Sequence, residues 1–390
     1  MTLKGQCAIA GVGVTEMGRI YDRSVSDFAA EAIHLALENA GLKLGDLDGL
    51  LINAGLESTL GVGFQNYLGA KDLRLLNHMN SFGSTAGAMV QFASLAIHAG
   101  MATTVACVFA DVPLKPDRGG GDAYMRGGVS AQPEGYGSLM RAEGYFGATC
   151  GYALAARRHM ERYGTTSEQF GAVAVSTRAW ACKNPRAQMR EPITLADHAK
   201  SRYIVEPLRL LDCCLVSNGG VAVIVTSAER ARDLKQMPAY VLGMGQGHPG
   251  DTMHAGREPM INTGAKLAGE TAFRMAGICC EDVSACELYD CYTYTTIVTL
   301  EDYGFCKKGE GGAFAQDGKL GPGGSLPTNT GGGQLSGYYM WGMTPLSEAV
   351  IQLQGGGGER QLSDPRYILV SGNGGILSYH SCLILGSQPD

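Results

Sequence analysis

Apolar and polar positions follow two patterns along the chain, one typical of buried strands and one typical of helices. The short runs CAIAGVG, LDGLLI and TTVACVFAD are apolar nearly throughout, as expected of strands covered on both faces. Between them, SDFAAEAIHLALENAG predicts a helix that ends at Gly41. Its apolar face carries Phe28, Ala32, Leu35 and Ala36. STAGAMVQFASLAIHAG indicates a second, buried helix. This alternation predicts an α/β fold with helices on both faces of a sheet.

Three of these segments recur later in the chain, at an offset of about 230 to 260 residues. AIAGVG is echoed by YVLGMGQG, ALENAGLKLGDLDGLLI by AFRMAGICCEDVSACELY, and VACVFAD by YILVSGNGG. Chance similarity between amphipathic units could explain any one echo, but three in the same order predict two similar halves, residues 1–237 and 238–390. The stretch from about 113 to 204 has no counterpart in the second half, which predicts an inserted loop domain with its own helices.

Composition narrows the class of protein. The chain has 390 residues, of which 45% are hydrophobic and 17% charged, enough for two halves with real cores. Its net charge of −6 argues against nucleic-acid or anionic-membrane partners. MTLKGQCAIAGVG indicates a first strand and not a signal peptide, and no long charge-free apolar run predicts a membrane span. Twelve cysteines without a CxxC framework are typical of a reduced, cytoplasmic enzyme without its own metal site.

One short stretch, ELYDCYTYTT, concentrates candidate chemistry. It brings Tyr289, Asp290 and Cys291 together with two further tyrosines at the end of an apolar segment. Tyrosine and threonine are good strand residues and cysteine is a small hydrophobe, so a purely structural explanation exists. The functional interpretation is that Tyr289 and Cys291 are proton-transfer groups at a strand end.

Five longer stretches, taken in order, resemble the thiolase superfamily over essentially the whole chain, and most of all its lipid-transfer-protein (sterol-carrier thiolase-like) branch. Any one of the glycine motifs alone would be weak. The stretches are RRHMERYGTTSEQFGAVAVSTRAWACKNPRAQM, PLRLLDCCLVSNGGVAVIVTS, ELYDCYTYTTIVTLEDYGFCKKGEGG, LPTNTGGGQLSGYYMWGMTPLSEAV and VSGNGGILSYHSCLILG.

The resemblance implies a duplicated thiolase fold, with two βαβαβαββ halves layered α-β-α-β-α and an inserted loop domain. It implies a usually dimeric enzyme of acyl-CoA catabolism, with coenzyme A as substrate thioester or acceptor. Members of the branch often work with a small OB-fold protein that carries a zinc ribbon. This chain has no zinc-ribbon spacing, so any such metal is expected in a separate polypeptide.

The catalytic motifs depart from the family pattern. The thiolase nucleophile position, a cysteine at a helix N-terminus, falls on Ser84 in NSFGSTAG. A helix cap is the structural interpretation of this serine. The histidine of the GHP motif falls on Tyr339 in GGGQLSGYYMWG. The HDC or NEA motif becomes YDC, with Tyr289 first and Cys291 matching the acid/base cysteine of the sterol-carrier branch.

These changes favour retro-aldol cleavage of a β-hydroxyacyl-CoA. That reaction needs a base, an acid and an oxyanion hole but no covalent nucleophile. We expect Tyr289 or Tyr339, its phenol pKa lowered by neighbouring donors, to take the hydroxyl proton, while the other tyrosine or Cys291 handles the enolate. The family contains aldolases with tyrosines at these positions, so the resemblance implies the same.

Two other functions stay open at this point. The first is a retro-Claisen thiolase, an acyltransferase acting on a β-ketoacyl-CoA such as an aromatic oxoacyl-CoA like benzoylsuccinyl-CoA, with Cys291 as acid/base. The second is a non-catalytic or acyl-transfer subunit. Sequence alone identifies neither the acyl group nor which tyrosine is the acid.

Supporting roles are predicted for a second set of residues. The CxGGG motif of biosynthetic thiolases becomes SGNGG, and His380 lies near it. His248 and His254 flank a glycine-rich loop and are expected to be loop hydrogen-bonding residues. The predicted oxyanion or support residues are Asp290, Ser371, Gly374, Gly375 and His380, and the predicted CoA-phosphate contacts are Arg157, Arg158 and Arg162.

Overall fold

The computed structural model describes residues 3–56, 59–122, 124, 136–250 and 260–389. The strands are β1 Cys7–Val14, β2 Gly49–Ala54, β3 Leu75–His78, β4 Thr104–Asp111, β5 Tyr203–Val205, β6 Leu208–Arg209, β7 Gly219–Ser227, β8 Ala239–Gly247, β9 Ala285–Leu288, β10 Tyr367–Gly374 and β11 Tyr379–Gly386. The helices are α1 Val25–Ala40, α2 Phe64–Leu68, α3 Thr85–His98, α4 Tyr136–Ala142, α5 Ala148–Tyr163, α6 Ser167–Ala181, α7 Leu195–Lys200, α8 Ala228–Arg232, α9 Ala265–Ala276, α10 Thr293–Tyr303, α11 Gly311–Gln316 and α12 Met343–Leu353.

Nine strands form one mixed sheet in the order β3-β2-β4-β7-β1-β8-β11-β10-β9, and the predicted α/β class is confirmed. Antiparallel and parallel neighbours follow the same order on both sides of the centre of the sheet. On one side β1, β7 and β4 are antiparallel neighbours and β2 then runs parallel to β4. On the other side β8, β11 and β10 are antiparallel and β9 runs parallel to β10. The division into halves 1–237 and 238–390 remains a proposal, and this repeated strand order supports it.

The helices form layers around this sheet. Helix α3 packs against β4 and β7 and also against β10 and β11, and α12 packs against β1, β7, β9 and β10. These two helices therefore lie between the two parts of the sheet. Helix α1 covers β1, β7 and β4, while α9 covers β8 and β11. The resulting α-β-α-β-α order places the N-terminus of α3 at the junction of the two parts.

Glycines in the two central strands explain the first sequence echo. A Cβ on Gly11 of β1 would lie 2.2 Å from the Ala36 carbonyl oxygen of α1, and one on Gly245 of β8 would lie 2.0 Å from the Ala268 carbonyl oxygen of α9. Side chains at these positions would push the helices off the sheet. The GVG and GMGQG motifs therefore serve helix–strand packing.

Four helices belong to the described part of the predicted loop domain, from α4 to α7. Residues 123 and 125–135 of that stretch lie outside the described residues.

A buried polar group attaches this segment to the second half of the chain. His159 of α5 is fully buried, with Nδ1 2.8 Å from Thr165 Oγ1 and Nε2 3.0 Å from Glu301 Oε2 on α10. Helix α5 is thereby held beside α10, which begins just after the YDC motif.

None of the helices in the described ranges combines the length and the apolar character that a membrane span requires. Cytoplasmic location stays a prediction.

Replacing His159 with Ala is expected to destabilise the fold, because it removes a fully buried partner from the Glu301 carboxylate. Losing a buried hydrogen-bond partner costs about 1–3 kcal/mol. Thermal unfolding of His159→Ala should show a clearly lower Tm than the wild type, while the exposed His34→Ala control should not. Equal Tm values for the two variants would contradict the structural role given to His159.

Candidate active site

The YDC motif lies on a sharp connection between a strand and a helix. Strand β9 ends at Leu288, the backbone N–H of Tyr289 donates to the Ser371 carbonyl oxygen of β10 at 3.0 Å, and α10 begins at Thr293. Tyr289, Asp290 and Cys291 therefore lie at the carboxyl end of parallel strands, where side chains of an α/β sheet converge. The predicted position at a strand end is confirmed.

The two tyrosines that replace family residues are in direct contact. Tyr289 Oη lies 2.9 Å from Tyr339 Oη, and their rings meet edge to face with centroids 6.3 Å apart. Their side chains are 5% and 8% exposed. Fifty positions apart in sequence, the two phenols form one hydrogen-bonded pair that can pass a proton from one oxygen to the other.

Asp290 holds the segment that carries Tyr339. Its Oδ1 accepts a 2.7 Å hydrogen bond from the Gln334 backbone N–H, and a Cβ on Gly333 would lie only 2.1 Å from Oδ2. Gly333 has φ +53°, in the left-handed region where glycine is favoured. The carboxyl group thus fixes the turn at residues 333–337, and Tyr339 lies two residues beyond it. Asp290 is a positioning residue for the pair.

Burial sets the protonation state of these groups. It raises the pKa of Asp290 to about 7, although hydrogen bonds, foremost from the Gln334 N–H, work in the opposite direction. It raises the pKa of both Tyr289 and Tyr339 well above the usual phenol value. The expectation that neighbouring donors lower these phenol pKa values is therefore wrong, because desolvation outweighs them. Both tyrosines are protonated at neutral pH.

Cys291 lies beside the pair but as a thiol. Burial raises its pKa well above the usual cysteine value, while a hydrogen bond with Tyr152 works the other way. Its carbonyl oxygen accepts from the Cys214 backbone N–H at 3.0 Å. A protonated, buried thiol can donate a hydrogen bond or a proton, but it is a poor nucleophile.

Ser84 lies at the position that precedes α3, as its structural interpretation expected, yet its side chain does not cap the helix. Its Oγ donates instead to the Ser81 carbonyl oxygen at 2.8 Å. That carbonyl can accept a hydrogen bond but cannot remove the proton, so the hydroxyl is not activated as a nucleophile.

Gly83, the residue before Ser84, lies directly against the ring of Tyr289. A Cβ on Gly83 would lie 2.0 Å from Tyr289 Cε2 and 2.3 Å from the Asn373 carbonyl oxygen. The N-terminus of α3, the end of β10 and the Tyr289 ring therefore meet at Gly83. Only a residue without a side chain fits between them.

The SGNGG residues divide between two sides of β10. Ser371 Oγ pairs with Tyr303 Oη at 2.8 Å, so its hydroxyl is turned to α10 and not to the tyrosine pair. Gly374 allows the Ser81 carbonyl oxygen to approach, since a Cβ there would lie 2.4 Å from it. Gly375 has φ +59° and turns the chain toward β11.

His380 is fully buried on β11 opposite Asn373, and its pKa is lowered to about 3 by burial. The ring is therefore neutral over the physiological range. Its two nitrogens have no hydrogen-bond partner among the described residues. His248 Nε2 bonds its neighbour Gln246 at 3.0 Å, as expected of a loop histidine, and His254 lies outside the described residues.

The three predicted CoA-contacting arginines lie on α5. Arg157 pairs with Glu206 at 2.7 Å on a half-exposed surface, and Arg158 and Arg162 are exposed. The structure does not bring them into the tyrosine cluster. In the part of the chain that the structure describes, no group of three or more His, Cys, Asp or Glu side chains is arranged to hold a metal ion.

Sequence reasoning missed three residues of this cluster. Tyr152 of α5 stacks obliquely on Tyr292 with ring centroids 4.6 Å apart, and its hydroxyl contacts Cys291. The rings of Tyr124 and Tyr339 meet edge to face with centroids 5.6 Å apart, and Asn373 Nδ2 donates to Tyr152 Oη at 3.2 Å. The two tyrosines come from the predicted loop domain, whose composition was rich in tyrosine but had no spacing that singled them out. Asn373, inside SGNGG, was passed over because the glycines around it carried the motif.

Replacing Asp290 with Asn should change how stability depends on pH. A carboxyl pKa raised from 3.8 to about 7 means that the folded state holds the proton more tightly, so stability is lost as pH rises between these values. The full shift corresponds to about 4 kcal/mol. The Asp290→Asn side chain would keep an oxygen acceptor for the Gln334 N–H but would not ionise.

The measurement is the Tm of wild type and Asp290→Asn from pH 4 to pH 8. The variant's Tm relative to wild type is expected to rise with pH, because only the wild type loses stability through ionisation at this position. A constant difference across the range would show that Asp290 is not held protonated.

Comparisons with known proteins agree with this architecture. Residues 245–387 match the family model described as "Thiolase C-terminal domain-like". A steroid side-chain-cleaving aldolase from Thermomonospora curvata is 39% identical over 99% of this chain and 99% of its own. A 17-hydroxy-3-oxo-4-pregnene-20-carboxyl-CoA lyase from Mycobacterium tuberculosis is 37% identical over 98% and 100%.

A solved structure, "Ltp2-ChsH2(DUF35) aldolase", is similar with a TM-score of 0.87 and 36% identity, covering 99% of each chain. These matches confirm the expected thiolase-type α/β fold. The chain belongs to the lipid-transfer branch of the thiolase superfamily.

Proposed function

We propose that this chain breaks the Cα–Cβ bond of a β-hydroxyacyl-CoA by retro-aldol cleavage. The observation that carries the proposal is the contact between two buried, protonated phenols, Tyr289 and Tyr339, 2.9 Å apart. Relatives matching over the whole chain are named as an aldolase and an acyl-CoA lyase, which supports it.

Overall, the reaction moves one proton from the β-hydroxyl to the α carbon, and the substrate is neither oxidised nor reduced. The β-hydroxyl loses its proton and becomes a carbonyl as the Cα–Cβ bond breaks. The bond's electron pair passes to the thioester as an enolate, and the α carbon then takes a proton. The products are a ketone or aldehyde and a shorter acyl-CoA, with no oxidant or second substrate.

The tyrosine pair can carry out this proton transfer because its two hydroxyls can act as a proton relay. One phenol oxygen accepts the β-hydroxyl proton as it passes its own proton to the second phenol. The second phenol delivers a proton to the α carbon. No free phenolate is needed in the resting enzyme, which fits the raised pKa of both groups. Either tyrosine can take either end of the relay.

The geometry gives less support to thiolysis. A thiolase needs an activated nucleophile or a titrating thiol, and Ser84 Oγ donates to the Ser81 carbonyl while Cys291 is a buried, protonated thiol. In the relay, Cys291 serves as a hydrogen-bond donor beside the pair.

For the acyl group we propose a flat polycyclic unit of the steroid class. The two full-length relatives are named for steroid substrates. In this chain, Phe82 lies next to Gly83 and is 47% exposed, with ring centroids 6.0 Å from Trp341 and 6.2 Å from Tyr379. Phe82 and Trp341 both have left-handed backbone angles, strain that is typical of binding sites. An aromatic rim of this kind suits an apolar ring system.

The assembly we propose is a homodimer core with a small zinc-ribbon OB-fold protein. The name of the similar solved structure pairs its aldolase with a DUF35 protein. Strand β3 forms one edge of the large sheet, and an open edge is a common site of pairing between chains. The arginines of α5, Arg157, Arg158 and Arg162, remain the proposed contacts for CoA phosphates.

The test is product analysis by mass spectrometry, with the chain co-expressed with its partner and panels of β-hydroxyacyl-CoA and β-ketoacyl-CoA. Retro-aldol cleavage yields one thioester and one carbonyl compound without added CoA. Cleavage of ketoacyl-CoA into two thioesters, strictly dependent on free CoA, would instead establish a thiolase.

Removing either hydroxyl of the pair should abolish most of the activity. Tyr289→Phe and Tyr339→Phe each interrupt the relay, and positioned proton transfer contributes about 10²–10⁴-fold. We expect kcat to fall by about that factor in each variant and no further in the double variant, because one broken link stops the relay. The control is Tyr294→Phe, which removes a buried hydroxyl bonded to the Met260 carbonyl. Full activity in either single variant would contradict the relay.

Gly83→Ala should misplace the Tyr289 ring, because its Cβ would lie 2.0 Å from Cε2. A misplacement of about 1 Å can cost about 10²-fold in rate. The matched control is Gly63→Ala, where a Cβ meets nothing within 4 Å. The comparison of kcat for the two variants checks this, and equal rates would show that the ring can move aside without cost.

A further inference from the structure

One buried side-chain amide in the cluster makes a hydrogen bond with its nitrogen but not with its oxygen. Asn373, at the end of β10, is 1% exposed. Its Nδ2 donates to Tyr152 Oη at 3.2 Å, while Oδ1 has no hydrogen-bond partner in the described part of the chain. Leaving such a polar atom buried and unpaired costs about 1–3 kcal/mol, so the atom calls for an explanation.

Asn373 lies close to the reacting groups through its backbone and through its partner Tyr152. The Asn373 backbone carbonyl and the Tyr289 ring both lie against Gly83, as the close contacts of its absent Cβ show. Tyr152, which holds the amide, contacts Cys291 and lies within electrostatic range of the Tyr289 hydroxyl. The amide therefore belongs to the same cluster as the phenol pair, to which Tyr152 and Cys291 connect it.

We infer that Asn373 donates a hydrogen bond to the thioester oxygen of the substrate, as the oxyanion donor of the site; this rests on the proposed acyl-CoA cleavage. A half-turn of the carboxamide lets Oδ1 accept from the Tyr152 hydroxyl and turns Nδ2 to the ligand. Cys291, Tyr152 and Asn373 then form a chain of donors that ends on the substrate.

The chemistry favours the thioester oxygen over the β-hydroxyl. Negative charge develops on the thioester oxygen when the enolate forms, and the Asn373 backbone carbonyl lies against Gly83, next to the N-terminus of α3, whose dipole favours negative charge. A neutral donor there strengthens as charge develops, which accelerates the reaction. His380, on the same face opposite Asn373, is neutral and adds no charge.

The first test is kinetic. Asn373→Ala and Asn373→Asp should each lower kcat by about 10²–10³-fold, the usual effect of losing one oxyanion donor. The aspartate variant keeps the shape but cannot donate when ionised, so retained activity there would show that the ligand needs an acceptor and would overturn the assignment. The matched control is Tyr303→Phe, which removes a buried tyrosine hydroxyl from Ser371 on the same face of β10 and should leave kcat within about threefold.

The second test uses binding alone, with butyryl-CoA and its thioether butyl-CoA, which lacks only the carbonyl oxygen. Calorimetry on the full chain with its partner should show wild type and Tyr303→Phe preferring the thioester by about fivefold, the value of one hydrogen bond. Asn373→Ala should lose that preference. If the preference persists in Asn373→Ala, the inference fails while the proposed function stands. If wild type binds neither CoA ligand and cleaves no β-hydroxyacyl-CoA in the product analysis, the proposed function fails and the inference falls with it.

Discussion

The site depends on one buried carboxyl group. Asp290 holds the turn at residues 333–337 through the Gln334 N–H and the close approach of Gly333. Because Tyr289 precedes Asp290 in the chain and Tyr339 follows that turn, the same side chain joins the two segments that carry the phenols. Burial raises the pKa of this joining group to about 7, while both phenols stay protonated.

The rest of the fold brings other strands, helices and side chains to the tyrosine pair. Glycines in β1 and β8 let α1 and α9 lie directly on the sheet, and α3 occupies the layer between its two parts. The N-terminus of α3 then meets the end of β10 at Gly83. Helix α5, held to α10 by His159, adds Tyr152 from the side. Groups from distant parts of the sequence therefore converge on a few side chains.

Sequence reasoning reached the α/β class, strands β1, β2 and β4, helices α1 and α3, and the two tyrosines, because apolar periodicity and aligned motifs are local properties. It failed where tertiary packing decides. Tyr289 and Tyr339 were expected to have lowered pKa values, but desolvation raises them. Ser371 was grouped with the site, but its hydroxyl is hydrogen-bonded to Tyr303. Tyr152 became visible only when α5 was placed.

The proposed relay requires the phenol pair to act in its protonated form. This requirement can be tested by the pH profile of kcat for enzyme with 3-fluorotyrosine at position 289 or 339, since fluorine lowers the phenol pKa with little change in shape. We expect a rate that is level at neutral pH and falls at high pH, with the fall moved to lower pH by fluorination. A rate that rises as the phenol ionises, and rises earlier in the fluorinated enzyme, would contradict it and identify a phenolate base.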